Sequence, residues 1–247
     1  MTQHKTNKTK SFRFKQFSID GGYAGMAVST DGVLLGAWSD CHAQSNILDI
    51  GTGTGLLSLM CAQRYSNTRI TAIDIDHQAF VAASNNVRAS PWSDRIEVKH
   101  LSLGKFYYAY PSSQFATIIC NPPYFNSGET AGSEQRATAR HTHTLSHEDL
   151  ARHISILMTT EGRASLILPL VEGKQFIELA QQFQLTPTRL CRVKSTKSKP
   201  ASRLLIELQH EKNSSSHQCI DSELVIMDNG QYSDAFVELT REFYLKM

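Results

Sequence analysis

Short apolar runs alternate with helical patterns through the middle of the chain. The runs end abruptly in polar or glycine-rich segments and predict buried strands. Five such strands are predicted, at Ile47–Ile50, Arg69–Ile73, Ile96–Leu103, Phe115–Cys120 and Ala164–Leu170. Helices are predicted between them, beginning near Leu56, Asp76, Ser146 and Glu172. This alternation is typical of an α/β fold, a mostly parallel sheet with helices on both faces.

Both ends of the chain depart from the alternation. Residues 1–10 are polar and are predicted to be a disordered basic tail. Residues 11–45 are predicted to be an N-terminal extension packed on the core, with Thr30 as the N-cap of a short apolar helix. Residues 46–247 are predicted to form the main domain.

The sequence pattern of the C-terminal third predicts the strands that complete the sheet. Thr188–Lys194 and Arg203–Gln209 flank a basic loop and are predicted to form an antiparallel pair that closes the sheet. Glu223–Met227 is predicted to be a further strand-like piece, and Ser233–Lys246 a final amphipathic helix.

Composition excludes several classes of protein. A chain of 247 residues with 40% hydrophobic and 19% charged residues is typical of an ordinary globular protein. No apolar run is long enough to span a membrane, and the N-terminus lacks the apolar stretch of a secretory signal. The five cysteines form no CxxC pair and no metal-ligand spacing, so no metal is expected. These features together predict a cytoplasmic protein.

Positive charge is concentrated although the net charge is only +2. Lysines and arginines without an intervening acid occur between Met1 and Lys15 and again between Arg189 and Arg203. Such blocks are often solvated tails or loops, and they also suit contact with phosphates. The candidate RNA contacts are Arg136 and Arg140 in the polar loop 125–145, together with Lys194, Lys197, Lys199 and Arg203.

A glycine turn follows the first strand of the main domain. Gly51, Gly53 and Gly55 let a ligand approach the backbone at the carboxyl end of that strand. Asp74 ends the next strand, where a carboxylate accepts hydrogen bonds from both hydroxyls of a ribose. The combination predicts a cofactor that contains a nucleoside.

The glycine spacing identifies the cofactor. A dinucleotide turn has the spacing G-x-G-x-x-G, whereas this turn is G-x-G-x-G and follows Asp49. A carboxylate at Asp49 would repel a pyrophosphate and attract an ammonium group. The turn therefore predicts S-adenosylmethionine, whose methionine end carries an ammonium, in preference to NAD.

A third motif, Asn121-Pro122-Pro123-Tyr124, ends the strand Phe115–Cys120. Prolines cannot continue a central strand, so the chain leaves the sheet here. The motif brings together an amide side chain, a carbonyl and an aromatic ring. Hydrogen bonding and stacking by these groups suit a flat substrate that carries an amino group.

The glycine turn, Asp74 and Asn121-Pro122-Pro123-Tyr124 together resemble the motif set of class I S-adenosylmethionine methyltransferases that act on amino nitrogens. The resemblance implies a Rossmann-like, seven-stranded, mostly parallel sheet whose last strand is antiparallel. It implies that the Asn121 side chain and the Pro122 carbonyl accept hydrogen bonds from the target amine. Tyr124 would stack on the substrate plane, with Pro123 beside it.

A narrower resemblance covers nearly the whole chain. Thr30-Asp31-Gly32-Val33-Leu34-Leu35-Gly36-Ala37-Trp38 and Ser90-Pro91-Trp92 are similar to segments of the bacterial tRNA(Val) adenine-N6 methyltransferases. That family modifies adenine 37, beside the anticodon. The resemblance implies that Thr30 and Asp31 lie near the methionine end of the cofactor. In one departure, Ser102 stands where such enzymes commonly place an acid that contacts the cofactor adenine.

Other substrates stay open at this stage. A glutamine side chain of a protein such as a release factor is also flat and carries an NH₂ group. An rRNA guanine-N2 methyltransferase and a non-catalytic RNA-binding module on the same fold are further alternatives. The basic blocks favour RNA as the substrate, and the resemblance to the tRNA(Val) methyltransferases favours tRNA among RNAs. No obligate protein partner is implied.

Overall fold

The computed structural model describes residues 9–22, 28–41, 46–123, 145–214 and 218–246. Two short strands, β1 and β2, pair antiparallel as a hairpin, and nine further strands form one sheet. The strands are β1 Phe12–Arg13, β2 Ser18–Ile19, β3 Asn46–Ile50, β4 Arg69–Asp74, β5 Ile96–His100, β6 Phe115–Cys120, β7 Met158–Pro169, β8 Leu185–Thr196, β9 Arg203–His210, β10 Ile220–Asp228 and β11 Gln231–Tyr232.

The order of strands in the sheet is β11-β10-β8-β9-β7-β6-β3-β4-β5. Strands β3 to β7 are parallel, and β9 lies antiparallel between β7 and β8. The α/β fold is therefore confirmed, and the pair predicted in the C-terminal third is antiparallel, although β10 and β11 rather than this pair complete the sheet. The described sheet has two strands more than the seven that were predicted, because β10 pairs in parallel with β8 and carries the β11 hairpin.

Helices cover both faces of the sheet and bury two apolar clusters against it. Helices α1, α2 and α8 and the β1–β2 hairpin contribute to one cluster, and α4, α5 and α6 to the other. The helices in the described residues are α1 Thr30–Trp38, α2 Leu56–Arg64, α3 His77–Arg88, α4 Leu103–Ala109, α5 His147–Leu157, α6 Leu170–Gln181, α7 Glu211–Ser214 and α8 Asp234–Thr240.

Several predicted boundaries were wrong by a few residues, including the start of β7, which is Met158 and not Ala164. Ser29, not Thr30, is the N-cap of α1, since its hydroxyl accepts a hydrogen bond from the Gly32 amide. Strand β5 ends at His100 because Ser102 caps a helix that the sequence pattern did not reveal. The final helix α8 begins after Ser233 as predicted but ends at Thr240. Serines compete well as helix caps, and apolar pattern alone does not separate a strand end from a following cap.

Helix α1 packs very closely on α2 in the middle of the first cluster. A Cβ built on Gly36 would lie 2.6 Å from the Met60 sulfur, and Met60 is fully buried. By contrast, a Cβ built on Gly104 of α4 would meet nothing within 4 Å. The two helical glycines therefore occupy opposite environments.

We expect Gly36→Ala to destabilise the protein by roughly 1–3 kcal/mol, because the added methyl group overpacks the interface between α1 and α2. Gly104→Ala, the matched control, is expected to be neutral or to stabilise the fold by up to about 1 kcal/mol, since alanine favours helix and the site is open. Urea denaturation measures both changes. Equal midpoints for the two variants would contradict the close packing of α1.

Candidate active site

The carboxyl ends of four neighbouring strands open into one large cavity. Register places Ile50 of β3 opposite both Ile73 of β4 and Cys120 of β6, and Asp74 of β4 opposite His100 of β5. The strands therefore end at the same level. The cavity beyond them has a volume of about 1430 Å³ and is lined by residues of α1, α4 and α5 as well as the strand ends. Ligands bind at this edge of parallel sheets.

The glycine turn after β3 is held against the end of β4 by its backbone. The amides of Gly51 and Thr52 both donate to the Ile73 carbonyl, over N···O distances of 2.9 and 3.0 Å. Gly51, Gly53 and Gly55 all have positive φ, at 68°, 58° and 84°, a conformation that strains other residues. The glycines are thus required by the turn itself. Gly51 also lines the cavity, where a built Cβ would meet no atom within 4 Å.

Asp74 lies where the sequence predicted it, at the end of β4 in the cavity wall. Its Oδ2 accepts from the Gly53 amide at 2.8 Å and its Oδ1 from the Asp76 amide at 2.9 Å. Each carboxylate oxygen retains a lone pair for a further donor. Burial is the main reason that the pKa of Asp74 lies above its ordinary value. The carboxylate is therefore fixed in place, with capacity left to bind hydroxyl groups.

Asp49 was predicted to contact the ammonium group of the cofactor, but its side chain is fully buried and is not part of the cavity wall. Its Oδ2 accepts hydrogen bonds from the Thr52 hydroxyl, the Ser58 hydroxyl and the Ser58 amide. Its Oδ1 has no hydrogen-bond partner among the described residues. Burial raises the pKa of Asp49 from 3.8 to about 6. In the structure, the carboxylate joins the glycine turn to the first turn of α2.

The substrate motif lies directly beside this turn. Asn121, Pro122 and Pro123 follow β6 and all line the cavity, with Pro122 buried and Pro123 exposed. A Cβ built on Gly32 of α1 would lie 3.9 Å from the Asn121 amide nitrogen, so α1 passes close to this side chain. Tyr124, Arg136 and Arg140 lie outside the described residues, and their roles stay predictions.

Helix α1 brings only one of its two candidate residues to the cavity. Asp31 lines it and pairs with Arg203 of β9, with a distance of 2.8 Å from Nε to Oδ2. Thr30 is exposed and is not part of the wall, whereas Ser29 is. Because consecutive helical residues point about 100° apart, only one face of α1 meets the cavity.

Ser102 also lines the cavity, close to His100. Its hydroxyl accepts a hydrogen bond from the Lys105 amide at 3.3 Å and so caps α4. The contact with a cofactor adenine that was predicted for Ser102 stays a prediction.

The basic block between Arg189 and Arg203 is paired with carboxylates that are distant in sequence. Strand β10 lies beside β8 and supplies three of the partners. The pairs are Arg189–Glu207, Arg192–Asp221, Lys194–Glu223, Lys197–Asp228 and Arg203–Asp31, with N···O distances from 2.5 to 3.1 Å. The block is therefore less positive than its sequence indicates. That Lys194, Lys197, Lys199 and Arg203 contact RNA stays a prediction.

Sequence reasoning missed several residues that line the cavity. Ile75 directly follows Asp74, so its position at the end of a strand could have predicted that it lines the cavity. The residues of α4 were missed because the strand was predicted to run to Leu103 and no helix was predicted after it. No sequence signal marked the side chains of α5. The main ones missed are Ser29, Ile75, His100, Tyr108, Arg152 and His153.

Two absences concern the described part of the chain alone. It contains no group of three or more His, Cys, Asp or Glu side chains placed to hold a metal ion. None of its helices is long and apolar enough to cross a membrane.

The buried Asp49 predicts a pH dependence of stability. Its pKa is higher in the folded state, at about 6, than the ordinary value of 3.8, so the folded protein binds more protons between these values. Stability therefore falls as pH rises through this window, and Asp49→Asn removes the effect. We expect the wild type to lose up to about 3 kcal/mol relative to this variant between pH ~4 and ~6.

Urea denaturation across this pH range measures the difference. Asp94→Asn, which changes an exposed aspartate, serves as the control and should give a profile parallel to the wild type. A parallel profile for Asp49→Asn as well would show that Asp49 does not carry the buried charge.

Comparison with known proteins identifies the family. A family model described as "Methyltransferase small domain" matches residues 30–146. A Vibrio vulnificus (strain YJ016) protein named tRNA1(Val) (adenine(37)-N6)-methyltransferase is 54% identical over 242 residues, 98% of each chain. A Vibrio cholerae (El Tor Inaba N16961) protein of the same name is 53% identical over 245 residues, 98% of this chain and 99% of its own.

Solved structures agree on the fold. A crystal structure described as a predicted O-methyltransferase from Agrobacterium tumefaciens matches with a TM-score of 0.66 at 19% identity, covering 86% of this chain and 96% of its own. A ribosomal protein L11 methylase from Lactobacillus delbrueckii matches with a TM-score of 0.53 at 15% identity, covering 78% and 83%. At such identities the likeness concerns the fold alone. The identity of 53–54% to the Vibrio proteins over nearly the whole chain shows more than the fold. The chain belongs to the tRNA1(Val) (adenine(37)-N6)-methyltransferase family.

Proposed function

We propose that this protein transfers a methyl group from S-adenosylmethionine to the N6 amine of adenine 37 in tRNA1(Val). The observation that carries the proposal is a single cavity in which Gly51 and Asp74 face Asn121, Pro122 and Pro123. The residues that we assign to the cofactor and those that we assign to the amine thus line the same cavity. Family membership at about half sequence identity supports the same substrate.

The residues present fit the cofactor. Gly51 leaves open space beside the backbone, and Asp74 is held with lone pairs available for ribose hydroxyls. Asp31 and Ser29 line the cavity at the end of α1 and are the residues we assign to the methionine end. Asp49 supports this site from behind by fixing the glycine turn. When bound, S-adenosylmethionine supplies a methyl group that its sulfonium has already activated.

The N6 amine of adenine is a poor nucleophile because its lone pair is delocalised into the ring. In this proposal, Asn121 Oδ1 and the Pro122 carbonyl accept its two N–H groups and favour a tetrahedral nitrogen. Pro123 has no N–H, so the peptide between the prolines offers only an acceptor. These acceptors also stabilise the positive charge that grows on nitrogen during transfer. No general base is required, since the product ammonium loses its proton readily to water.

The rival substrates differ in what surrounds the amine. A glutamine amide would bind to the same acceptors but would need a protein-binding surface. An rRNA guanine would present its amine from another edge of the base. Neither alternative accounts for the family membership of the whole chain. A non-catalytic RNA-binding module would not require the fixed Asp74 carboxylate beside the Asn121 motif.

One assay separates these substrates. The protein is incubated with labelled S-adenosylmethionine and, separately, with total tRNA, rRNA and a release factor. We expect label in tRNA, recovered after nucleoside analysis as N6-methyladenosine, and none in tRNA whose adenine 37 is replaced by guanine. Label in the release factor or in N2-methylguanosine would replace the proposed function with the corresponding alternative.

Asn121→Ala should separate catalysis from cofactor binding. Removing the amide acceptor is expected to lower the rate of methyl transfer by at least about 100-fold, because an acceptor for the developing charge is lost. The affinity for S-adenosylhomocysteine, measured by calorimetry, should change by less than about threefold.

Asp74→Ala is the contrasting variant and should chiefly weaken cofactor affinity, since it removes the predicted ribose acceptor. If Asn121→Ala weakens cofactor affinity as much as Asp74→Ala does, Asn121 has been assigned the wrong role.

A further inference from the structure

One wall of the cavity has no role in the chemistry described above. It is formed by α4, whose buried residues Leu103 and Phe106 anchor the helix in the second apolar cluster. This register turns Gly104, Lys105 and Tyr108 outward, and all three line the cavity. We call these three residues the α4 platform.

Tyr108 is unusually exposed for an aromatic residue in a structured helix. Its exposed fraction is 81%, the highest among the large hydrophobic residues that are exposed in the described part of the chain. Its ring contacts Tyr107, with centroids 5.6 Å apart, and Tyr107 in turn lies edge-on to His153 of α5 at 5.7 Å. The Tyr108 ring therefore contacts a neighbouring ring, while most of its surface is exposed to solvent.

Gly104 provides a second and independent observation. It lies one turn before Tyr108 and thus on the same face of α4. Its φ is not positive, and a Cβ there would meet nothing within 4 Å. Neither the backbone nor the packing requires glycine at this position, although glycine costs helix stability. A flat ligand that lies on the bare backbone beside Tyr108 would require it.

The surrounding charges suit a nucleotide. Lys105 is exposed and has no ion pair within the described residues. On the neighbouring helix α5, Arg152 pairs with Asp149 at 2.6 Å, and both also line the cavity. Lys105 is accordingly the cation on α4 that is available to a phosphate.

Within the platform, the position of Tyr108 separates its ring from the cofactor. Asp74, His100 and Ser102 lie at the strand ends, where the adenosine part of the cofactor is expected. Tyr108 is six residues beyond Ser102, which is about 9 Å along the helix axis. The ring therefore faces a different part of the cavity.

We propose that the α4 platform binds a nucleotide adjacent to the target adenine, whose base stacks on Tyr108 and whose phosphate contacts Lys105. The proposal rests on the function proposed above. Enzymes that act on a base in RNA must take it out of its stack, and this leaves the neighbouring base without a partner. An open tyrosine ring replaces the lost stacking.

Binding of an anticodon stem-loop to the full chain tests the proposal. Tyr108→Ala should weaken binding roughly 5- to 150-fold, the range that loss of one stacked base produces. Tyr108→Phe keeps the ring and should restore binding to within about threefold. Affinity for S-adenosylhomocysteine should be unchanged in both. Because the side chain is exposed, the variants should melt at the wild-type temperature.

Modified RNA then identifies the partner of the ring. Two stem-loops are made with an abasic residue immediately 5′ or 3′ of the target adenine. The wild type should bind one of these two RNAs as weakly as Tyr108→Ala binds intact RNA. For Tyr108→Ala, the same abasic residue should cause no further loss of affinity. Tyr232→Ala, which alters an exposed tyrosine outside the cavity, is the matched control and should bind as the wild type does.

Three results would overturn the proposal: unchanged RNA binding by Tyr108→Ala, an equal loss in Tyr232→Ala, or a loss of S-adenosylhomocysteine affinity that matches the loss of RNA affinity. The last result would place Tyr108 in the cofactor pocket. Failure of the proposed function is seen separately, as a wild-type protein that binds the stem-loop without methylating it. The binding data still decide the role of the platform in that case.

Discussion

The hydrogen bond from the Gly53 amide to the Asp74 carboxylate joins the two halves of the proposed cofactor site. It connects the turn after β3 to the end of β4 over 2.8 Å, and the Gly51 and Thr52 amides reinforce it by binding the Ile73 carbonyl. The bond forms because the parallel register brings these strand ends to the same level. The positions of Asp74 and the glycine backbone relative to any nucleoside follow from it.

Asp49 is the second constraint on this turn, and its burial has a cost. A carboxylate away from water is stable only when it accepts hydrogen bonds, and Thr52 and Ser58 supply three of them to one oxygen. These bonds fix the loop to α2 at the point where α2 begins. The acid thus holds the glycine turn in place without lining the cavity.

Helix α1 brings the N-terminal part of the chain into the same site. Gly36 permits its close packing on Met60, and Gly32 permits its approach to Asn121 and Leu56. The Asp31–Arg203 ion pair fixes the end of the helix to β9, whose partner strand β7 lies next to β6. A segment that is far from the Asn121 motif in sequence therefore forms part of the wall around it.

The distribution of charge shows how folding changes a pattern that is visible in the sequence. The cations from Arg189 to Arg203 lie on β8 and at its end, and β10 pairs in parallel beside them. Acidic residues more than twenty positions away then become neighbours. Pairing between surface ions contributes little to stability, but it reduces the positive potential that RNA would meet.

The sequence by itself determined the sheet, the glycine turn, Asp74 and the Asn121 motif. Each of these depends on a local pattern: apolar runs at strand spacing, glycines with positive φ, and polar residues where strands end. The parallel topology then placed their ends together without further information. Strand β10 contains the predicted piece Glu223–Met227, whereas β11 was not predicted because a strand of two residues is too short to show an apolar pattern.

Only the tertiary structure decided which side chains face the cavity. Asp49 points away from it, since its carboxylate is used by Ser58 and Thr52, whereas Asp31 points toward it. Helix α4 and its exposed Tyr108 were not predicted from the sequence, because the serine that caps the helix lies only two residues after the end of β5. Side-chain direction, ion pairing and the approach of separate segments depend on long-range packing, and for that physical reason local sequence pattern does not contain them.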